Sequence, residues 1–317
     1  MLLNKMLGIK YPFIQGAMAR ISDGSFAAAA SNSGGLGIIA AGGMDAATLR
    51  REIQVCRQKT AQPFGVNIML MHPEAKAMAT VAAEEKVPVI TTGAGNPAPY
   101  IAMWQEAGSK VFPVIPSVAL AKRVEKYGAD AVIAEGTESG GHVGELTTMT
   151  LVYQVAQAVA IPVIAAGGIA SGAQFLSALS LGAVGAQLGT CLLATEECPI
   201  HANYKAALLK AKDIDTVVTG RVTGVPVRIL KNALAREYLR QEAAGASKEE
   251  LEKFTLHSLN KAVVEGDVRH GSLMAGQVAG QLKSIKTIAQ VFADIDSQGR
   301  HRWQELKVEL ELKGEAE

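Results

Sequence analysis

Aromatic residues are scarce in this 317-residue chain, at 5%. A large core must therefore be built from Ala, Val, Ile and Leu, within a hydrophobic content of 49% and a mean hydropathy of +0.17. That composition suits parallel strands buried on both faces. Cysteine is also scarce. Cys56, Cys191 and Cys198 share no metal-like spacing, so no metal site is expected, and an odd number argues against a disulfide framework. An excess of one charge is missing too. The chain holds 31 Lys and Arg against 30 Asp and Glu, a net charge of +1, and nothing points to nucleic acid or to a basic grip on a membrane. No apolar run spans a bilayer without charged or turn residues, and residues 1–5 lack a signal-peptide layout. No Gly-x-Gly-x-x-Gly fingerprint follows the first strand, which argues against a Rossmann domain. A cytoplasmic protein of a reducing compartment is the expectation.

What is present is an alternation of short apolar runs with longer amphipathic ones, the pattern of parallel strands joined by helices. Strands are predicted near 12–18, 36–40, 64–70, 88–93, 110–115, 131–135, 162–166 and 183–188. A helix follows each of the first seven. Asp23 and Ser117 offer N-caps. Eight units in this order predict an α/β fold, a (β/α)8 TIM barrel, rather than an open doubly wound sheet. The eighth helix is delayed. Residues 205–267 change character, with Lys205, Lys210, Lys212, Arg221, Arg228, Lys231, Arg236 and Arg240 against Asp213, Asp215 and Glu237 up to residue 240. We read 1–204 and 268–317 as the barrel and 205–267 as an insertion over its C-terminal mouth. A charged helical segment is expected near 247–262. Residues 272–277 are expected to start the closing helix, and the polar tail from about Asp296 to form a terminal helix.

Active sites of such barrels lie at the C-terminal ends of the strands, and the chemistry-bearing residues fall there. Gly167, Gly168, Gly189 and Thr190 end strands seven and eight, where barrels commonly hold phosphate. Glycine lets backbone N–H groups approach an anion, and the Thr190 hydroxyl is a further donor. The alternative is that these glycines only make tight turns. Gly16, Ala17 and Met18 offer a backbone edge to a flat ring, and Asn67 a hydrogen bond to its polar side. Glu135 ends strand six and either binds a hydroxyl or caps backbone. It opens a glycine-rich loop that also holds Glu138, Gly140 and His142. Glu138 reads as solvated or as a local acceptor. His142 suits a general acid or base near neutral pH, with a plain surface histidine as the alternative. His72, His201, His257, His270 and His301 lack such context. Cys191 reads as a buried thiol, and Met69, Met71 and Met274 as packing residues that at a mouth would line an apolar pocket.

Five stretches carry a resemblance. They are 63–70 (PFGVNIML), 91–97 (TTGAGNP), the long run 114–150, 212–216 (KDIDT) and 271–277 (GSLMAGQ). On them the chain resembles the FMN-dependent enoyl-acyl carrier protein reductases of bacterial type II fatty-acid synthesis, and more distantly the nitronate monooxygenases, which share the Gly-Gly-His of the sixth loop. The resemblance covers all but about the last twenty residues. It implies FMN contacts at Gly16, Met18, Asn67, Glu135, Gly140, Gly167, Gly168, Gly189 and Thr190, with Ala17, Met274 and Gln277 beside them. It makes His142 the catalytic histidine, and Ser139 stands where alanine is frequent. The implied reaction is reduction of a trans-2-enoyl thioester of acyl carrier protein by FMN and NADH or NADPH. A homodimer and a response to a monovalent cation are also implied. The runner-up is oxidation of alkyl nitronates with FMN and oxygen.

Overall fold

The computed structural model describes residues 1–314. Its strands are β1 (Phe13–Gln15), β2 (Gly37–Ala40), β3 (Phe64–Met69), β4 (Val89–Gly93), β5 (Lys110–Ile115), β6 (Val132–Glu135), β7 (Gly141–His142), β8 (Val163–Ala166), β9 (Gly185–Leu188), β10 (Thr216–Thr219) and β11 (Val227–Leu230). Eight of them form one parallel sheet in the order β1-β9-β8-β6-β5-β4-β3-β2. A parallel bridge between Ile14 and Leu36 brings its two edges together. Gln15 N donates to Leu36 O at 2.8 Å and Leu36 N to Phe13 O at 2.9 Å, which closes the barrel. The expected fold class is the one observed.

Successive side chains along each strand point to opposite faces, and the apolar residues divide accordingly. Ile14, Ile38, Val89, Phe112, Ile133 and Ile164 fill the barrel. Their neighbours Phe13, Ile39, Ile90, Val111, Val132 and Val163 face the surrounding helices. Burial on both faces explains why the strands read as unbroken apolar runs. Helix starts follow local chemistry. Asp23, Asp45, Ser117 and Ser171 each accept a hydrogen bond from a backbone N–H in the first turn they precede, a contribution of about 1 kcal/mol apiece. At the opposite end from the mouth, helix Leu3–Leu7 inserts Leu3 into the barrel interior, and Leu3 N donates to Val184 O at 2.8 Å.

Beyond β9 the chain makes helix Ala202–Lys210, the β10–β11 hairpin, and helices Ala233–Ala243 and Lys248–Thr255. The first of these helices buries Tyr204 and Leu208 in the barrel's outer core. The hairpin and the later helices share a smaller cluster of Ile229, Leu234 and Ala235, with Val217, Val227, Phe254 and Met274 against it. Three expectations are corrected. The charged helix stops at Thr255, because Leu256 turns extended at ψ 130° and His257 left-handed at φ 63°, and a short helix Ser258–Asn260 and a π-helical turn over Lys261–Glu265 follow. Residues 272–276 are not helical. Tyr204 Oη donates to Met274 O at 2.7 Å and Gly276 N donates to Thr190 Oγ1 at 2.8 Å, and these tertiary bonds hold the segment extended. The closing helix is Ile288–Gly314, continuous with the polar tail. Among the described residues no helix is long and apolar enough to cross a membrane.

Candidate active site

The pleat that buries Ile133 inside the barrel also carries Glu135, two residues on, to the inner face of the C-terminal rim. On β3 the same parity applies to Asn67, two residues beyond Gly65, where a Cβ would meet Ile38 inside the barrel. Register sets Asn67 across from Thr91, and Glu135 across from Ala166. Asn67 Nδ2 donates to Thr91 Oγ1 at 2.9 Å, which fixes the plane of the amide. Glu135 has no ion pair among the described residues. Burial pushes its carboxyl up to about 7, with the Ser139 hydroxyl pulling the other way.

The edge Gly16-Ala17-Met18 follows directly from β1. Gly16 N donates to Leu188 O at 2.7 Å and Met18 N to Ser22 Oγ at 3.1 Å. Beneath them Gln15 is fully buried. Its Nε2 donates to Ser22 Oγ at 2.8 Å, and its Oε1 accepts from Ile38 N at 3.0 Å. Gln15 and Ser22 thus shape the edge without lying on it. Neither stood out in the sequence, where Gln15 lies within a predicted strand and Ser22 directly precedes the helix cap Asp23.

The ends of β8 and β9 form a glycine cradle. Gly167 and Gly168 adopt φ of 91° and 74°, a region open mainly to glycine. A Cβ on Gly168 would collide with the Glu138 carboxylate. A Cβ on Gly140 would come within 2.6 Å of Ala275 C, and one on Gly276 within 2.6 Å of Glu138 O. Gly189 differs, since a Cβ there would meet nothing within 4 Å. Thr190 Oγ1 accepts from Gly276 N and keeps its own proton to donate. Of two buried hydroxyls at this rim, Thr137 Oγ1 has no protein partner, and Ser139 Oγ lies near the Glu135 carboxyl without a hydrogen bond of good geometry. Open space at Gly189 beside unsatisfied hydroxyls fits a ligand with a phosphate and further polar groups.

Glu138 proves to be a local acceptor. Its Oε1 takes a hydrogen bond from Thr148 N at 2.8 Å and so caps helix Thr148–Ala158, for which Thr147 provides no side-chain cap. Its carbonyl accepts from Gln277 N at 2.9 Å. Gln277 is exposed at the same rim.

His142 lies where the expectation of a simple loop fails. With Gly141 it forms β7, the third strand of an antiparallel sheet in which His142 pairs with Val227 and Gly141 with Arg228. His142 then shares a face with Val227, Ile229 and Thr219. Together with Leu234, Tyr238, Met274 and other side chains these residues line a cavity of about 350 Å³. The ring is open to this cavity, and the protein around it pushes its pKa below the ordinary histidine value by desolvation, favouring neutral imidazole. Met274 lies between the two regions, since a Cβ on Gly141 would sit 3.6 Å from its sulfur. Met69 and Met71 are exposed, and neither is among the cavity's lining residues. His257 does line it, although the sequence offered no reason to place it there. Burial pushes the Cys191 thiol up to about 12, which suits an inert core residue.

A barrel with a polar inner rim, a glycine cradle after its last two strands and a histidine facing a separate cavity has counterparts among known proteins. The family model for nitronate monooxygenase matches residues 1–85 and 75–297. The chain belongs to the nitronate monooxygenase family. Members of the group that includes FabK are flavin (FMN) enzymes, and this chain is a flavin-dependent oxidoreductase. FabK from Thermotoga maritima, an enoyl-ACP reductase II, superposes with a TM-score of 0.93 at 46% identity, covering 96% of this chain and 97% of that one. Nitroalkane oxidase from Streptomyces ansochromogenes superposes with a TM-score of 0.85 at 30% identity, covering 96% and 99%. Among curated relatives, the (3aS,4S,5R,7aS)-5-hydroxy-7a-methyl-1-oxo-octahydro-1H-indene-4-carboxyl-CoA dehydrogenase of Mycobacterium tuberculosis is 31% identical, over 92% of this chain and 94% of the relative. A probable nitronate monooxygenase of Staphylococcus aureus is 33% identical, over 76% and 81%.

Proposed function

We propose that this protein reduces trans-2-enoyl thioesters of acyl carrier protein to acyl thioesters, using FMN and NADH or NADPH. That reaction is the last step of the elongation cycle in type II fatty-acid synthesis. The observation that carries the reading is the likeness to FabK at 46% identity over 96% of the chain. The cavity that joins His142 to an apolar wall is consistent with it, since a thioester with an acyl chain needs both.

FMN bound at the rim would supply hydride to the β-carbon of the enoyl thioester. Gly167, Gly168, Gly189 and Thr190 would hold its phosphate. Gly16, Ala17 and Met18 would run along its ring, and Asn67 and Glu135 would meet its polar groups from inside the barrel. Gly140, Met274 and Gln277 would close the remaining side. His142 faces the space where the thioester would lie. Because desolvation favours its neutral form, it suits donation of one N–H to the thioester carbonyl better than delivery of a proton from imidazolium. Such a donor would stabilise the negative charge that reaches the carbonyl oxygen as hydride arrives, and the resulting enolate would take its α-carbon proton from solvent. The segment 205–267, proposed as one unit, would present its basic surface to the acidic carrier protein. A homodimer is proposed on the resemblance alone.

A second reading has support of its own. The family model and the Staphylococcus aureus relatives favour nitronate oxidation, and a neutral imidazole would there act as a base on substrate carbon. Anaerobic half-reactions separate the two. NADH or NADPH should bleach the yellow protein, and crotonyl thioester should then restore its colour without oxygen. A bleached protein that ignores the thioester, together with oxygen-dependent turnover of nitronates, would overturn the reductase reading.

A further inference from the structure

Arg228 lies in β11 opposite Gly141. Its strand neighbours Val227 and Ile229 face the cavity, so the pleat turns Arg228 to the other side of the sheet, under the loop that carries His142. Arg228 is only 7% exposed, which is rare for arginine unless it is paired. No carboxylate lies within salt-bridge distance among the described residues. Instead Nε donates to Thr137 O at 3.0 Å and Nη1 to Thr216 Oγ1 at 3.1 Å. The first acceptor belongs to the loop after β6 and the second to β10, so one planar group spans two elements that β8, β9 and helix Ala202–Lys210 separate in the chain. A buried guanidinium without an ion pair is expensive in free energy, and an apolar residue at this position would pack at lower cost. Stability alone does not account for it.

The rest of the attachment is slight. β7 is two residues long, Val143 N donates to Pro226 O at 3.1 Å, and the exposed pair Arg221–Glu145 at 2.6 Å adds a tie at the surface. We propose that Arg228 is a positioning residue. It latches the hairpin to the 137–144 loop and so sets the direction in which His142 faces the cavity. The glycines after β8 and β9 make no contact with its guanidinium, although β11 also bridges Met274 through Ile229. Arg228 differs in this from Glu138, which touches the cradle directly. The inference rests on the reading of His142 as the residue that acts on substrate.

Two measurements on the flavin-loaded protein test it. In amide hydrogen exchange, Arg228→Met should lose protection across residues 141–143 while residues 163–168 keep theirs. Unchanged protection at 141–143 would overturn the latch. The second measurement is a double-mutant cycle on kcat with His142→Ala. Arg228→Met should lower kcat about tenfold alone and less than about twofold when His142 is already absent, because coupled residues are not additive. Equal losses in both backgrounds would overturn the positioning role. Arg228→Lys, which keeps the charge but reaches one acceptor, serves in the same cycle if the Met variant does not fold, with a loss of about threefold expected. The outcomes also separate this inference from the one beneath it. If His142→Ala leaves turnover intact, the role proposed for His142 fails, and the exchange experiment alone then decides the latch.

Discussion

Glu135 makes the structure testable without any substrate. Its carboxyl sits inside the barrel rim with no cation beside it, and burial lifts it from an ordinary 4.5 to about 7. Below pH 4.5 the group is protonated whether the chain is folded or not, and it costs nothing. Between 4.5 and 7 the unfolded chain releases the proton while the folded one keeps it, so stability falls as pH rises. Above 7 both states are ionised and the loss is complete. A displacement of that size corresponds to about 3 kcal/mol, and because the rim is open to solvent this is an upper figure. Glu135→Gln removes the titration and keeps the shape. In the flavin-free protein, urea midpoints for the two forms should coincide near pH 4.5. The variant should be more stable at pH 8 by about 1–3 kcal/mol. A variant that differs from the parent by the same amount at both pH values would refute the reasoning, because its effect would then come from packing and not from a buried charge.

Other outcomes follow from the same geometry. His142→Ala should lower turnover about a hundredfold and leave yellow protein. Loss of bound flavin, seen by absorbance after desalting, would move His142 to the cofactor. Gly189→Ala and Gly276→Ala should part company. The first adds a methyl to open space, so stability by urea should change by less than about 0.5 kcal/mol while flavin affinity by fluorescence titration weakens. The second forces a Cβ against Glu138 O and should destabilise by about 2 kcal/mol or more. An unchanged flavin affinity in Gly189→Ala would remove that glycine from the cradle. Arg240 is already paired with Glu237 at 2.7 Å, whereas Arg236 is exposed and has no ion pair among the described residues. Arg236→Glu should therefore raise KM for the carrier-linked thioester several-fold but not for the CoA-linked one. Equal effects on both would remove this surface as the carrier's docking face.

The barrel was legible because its signals are local. Runs such as 162–166 are apolar on both faces, and Asp23 and Ser117 announce their helices from one position away. The inner rim was legible for a related reason. Once β3 and β6 are placed, parity alone sends Asn67 and Glu135 to the same side. What could not be read depends on contacts between distant segments. Two residues, Gly141 and His142, have no periodicity, and they become a strand only because β11 lies beside them. Residues 272–276 look like a helix start until Tyr204 and Thr190, both far away in sequence, draw their backbone straight. Arg228 reads as one more surface cation in a basic stretch, and its burial is invisible without the hairpin's parity.

The histidine and the cradle hang on different sheets. The glycines after β8 and β9 belong to the parallel barrel, whereas β7 pairs with the hairpin, which also bridges Met274 through Ile229. Selection can therefore exchange the reaction without disturbing the prosthetic group. Altering the hairpin re-aims one imidazole and reshapes one wall, while the residues after β8 and β9 go on serving the same role. Such a division of labour fits a family whose named members include both a FabK and a nitroalkane oxidase at full-length overlap. For an engineer it marks where to cut. A graft of residues 211–267 from a relative should carry substrate preference with it, provided that the partner of Thr137 O travels in the same piece.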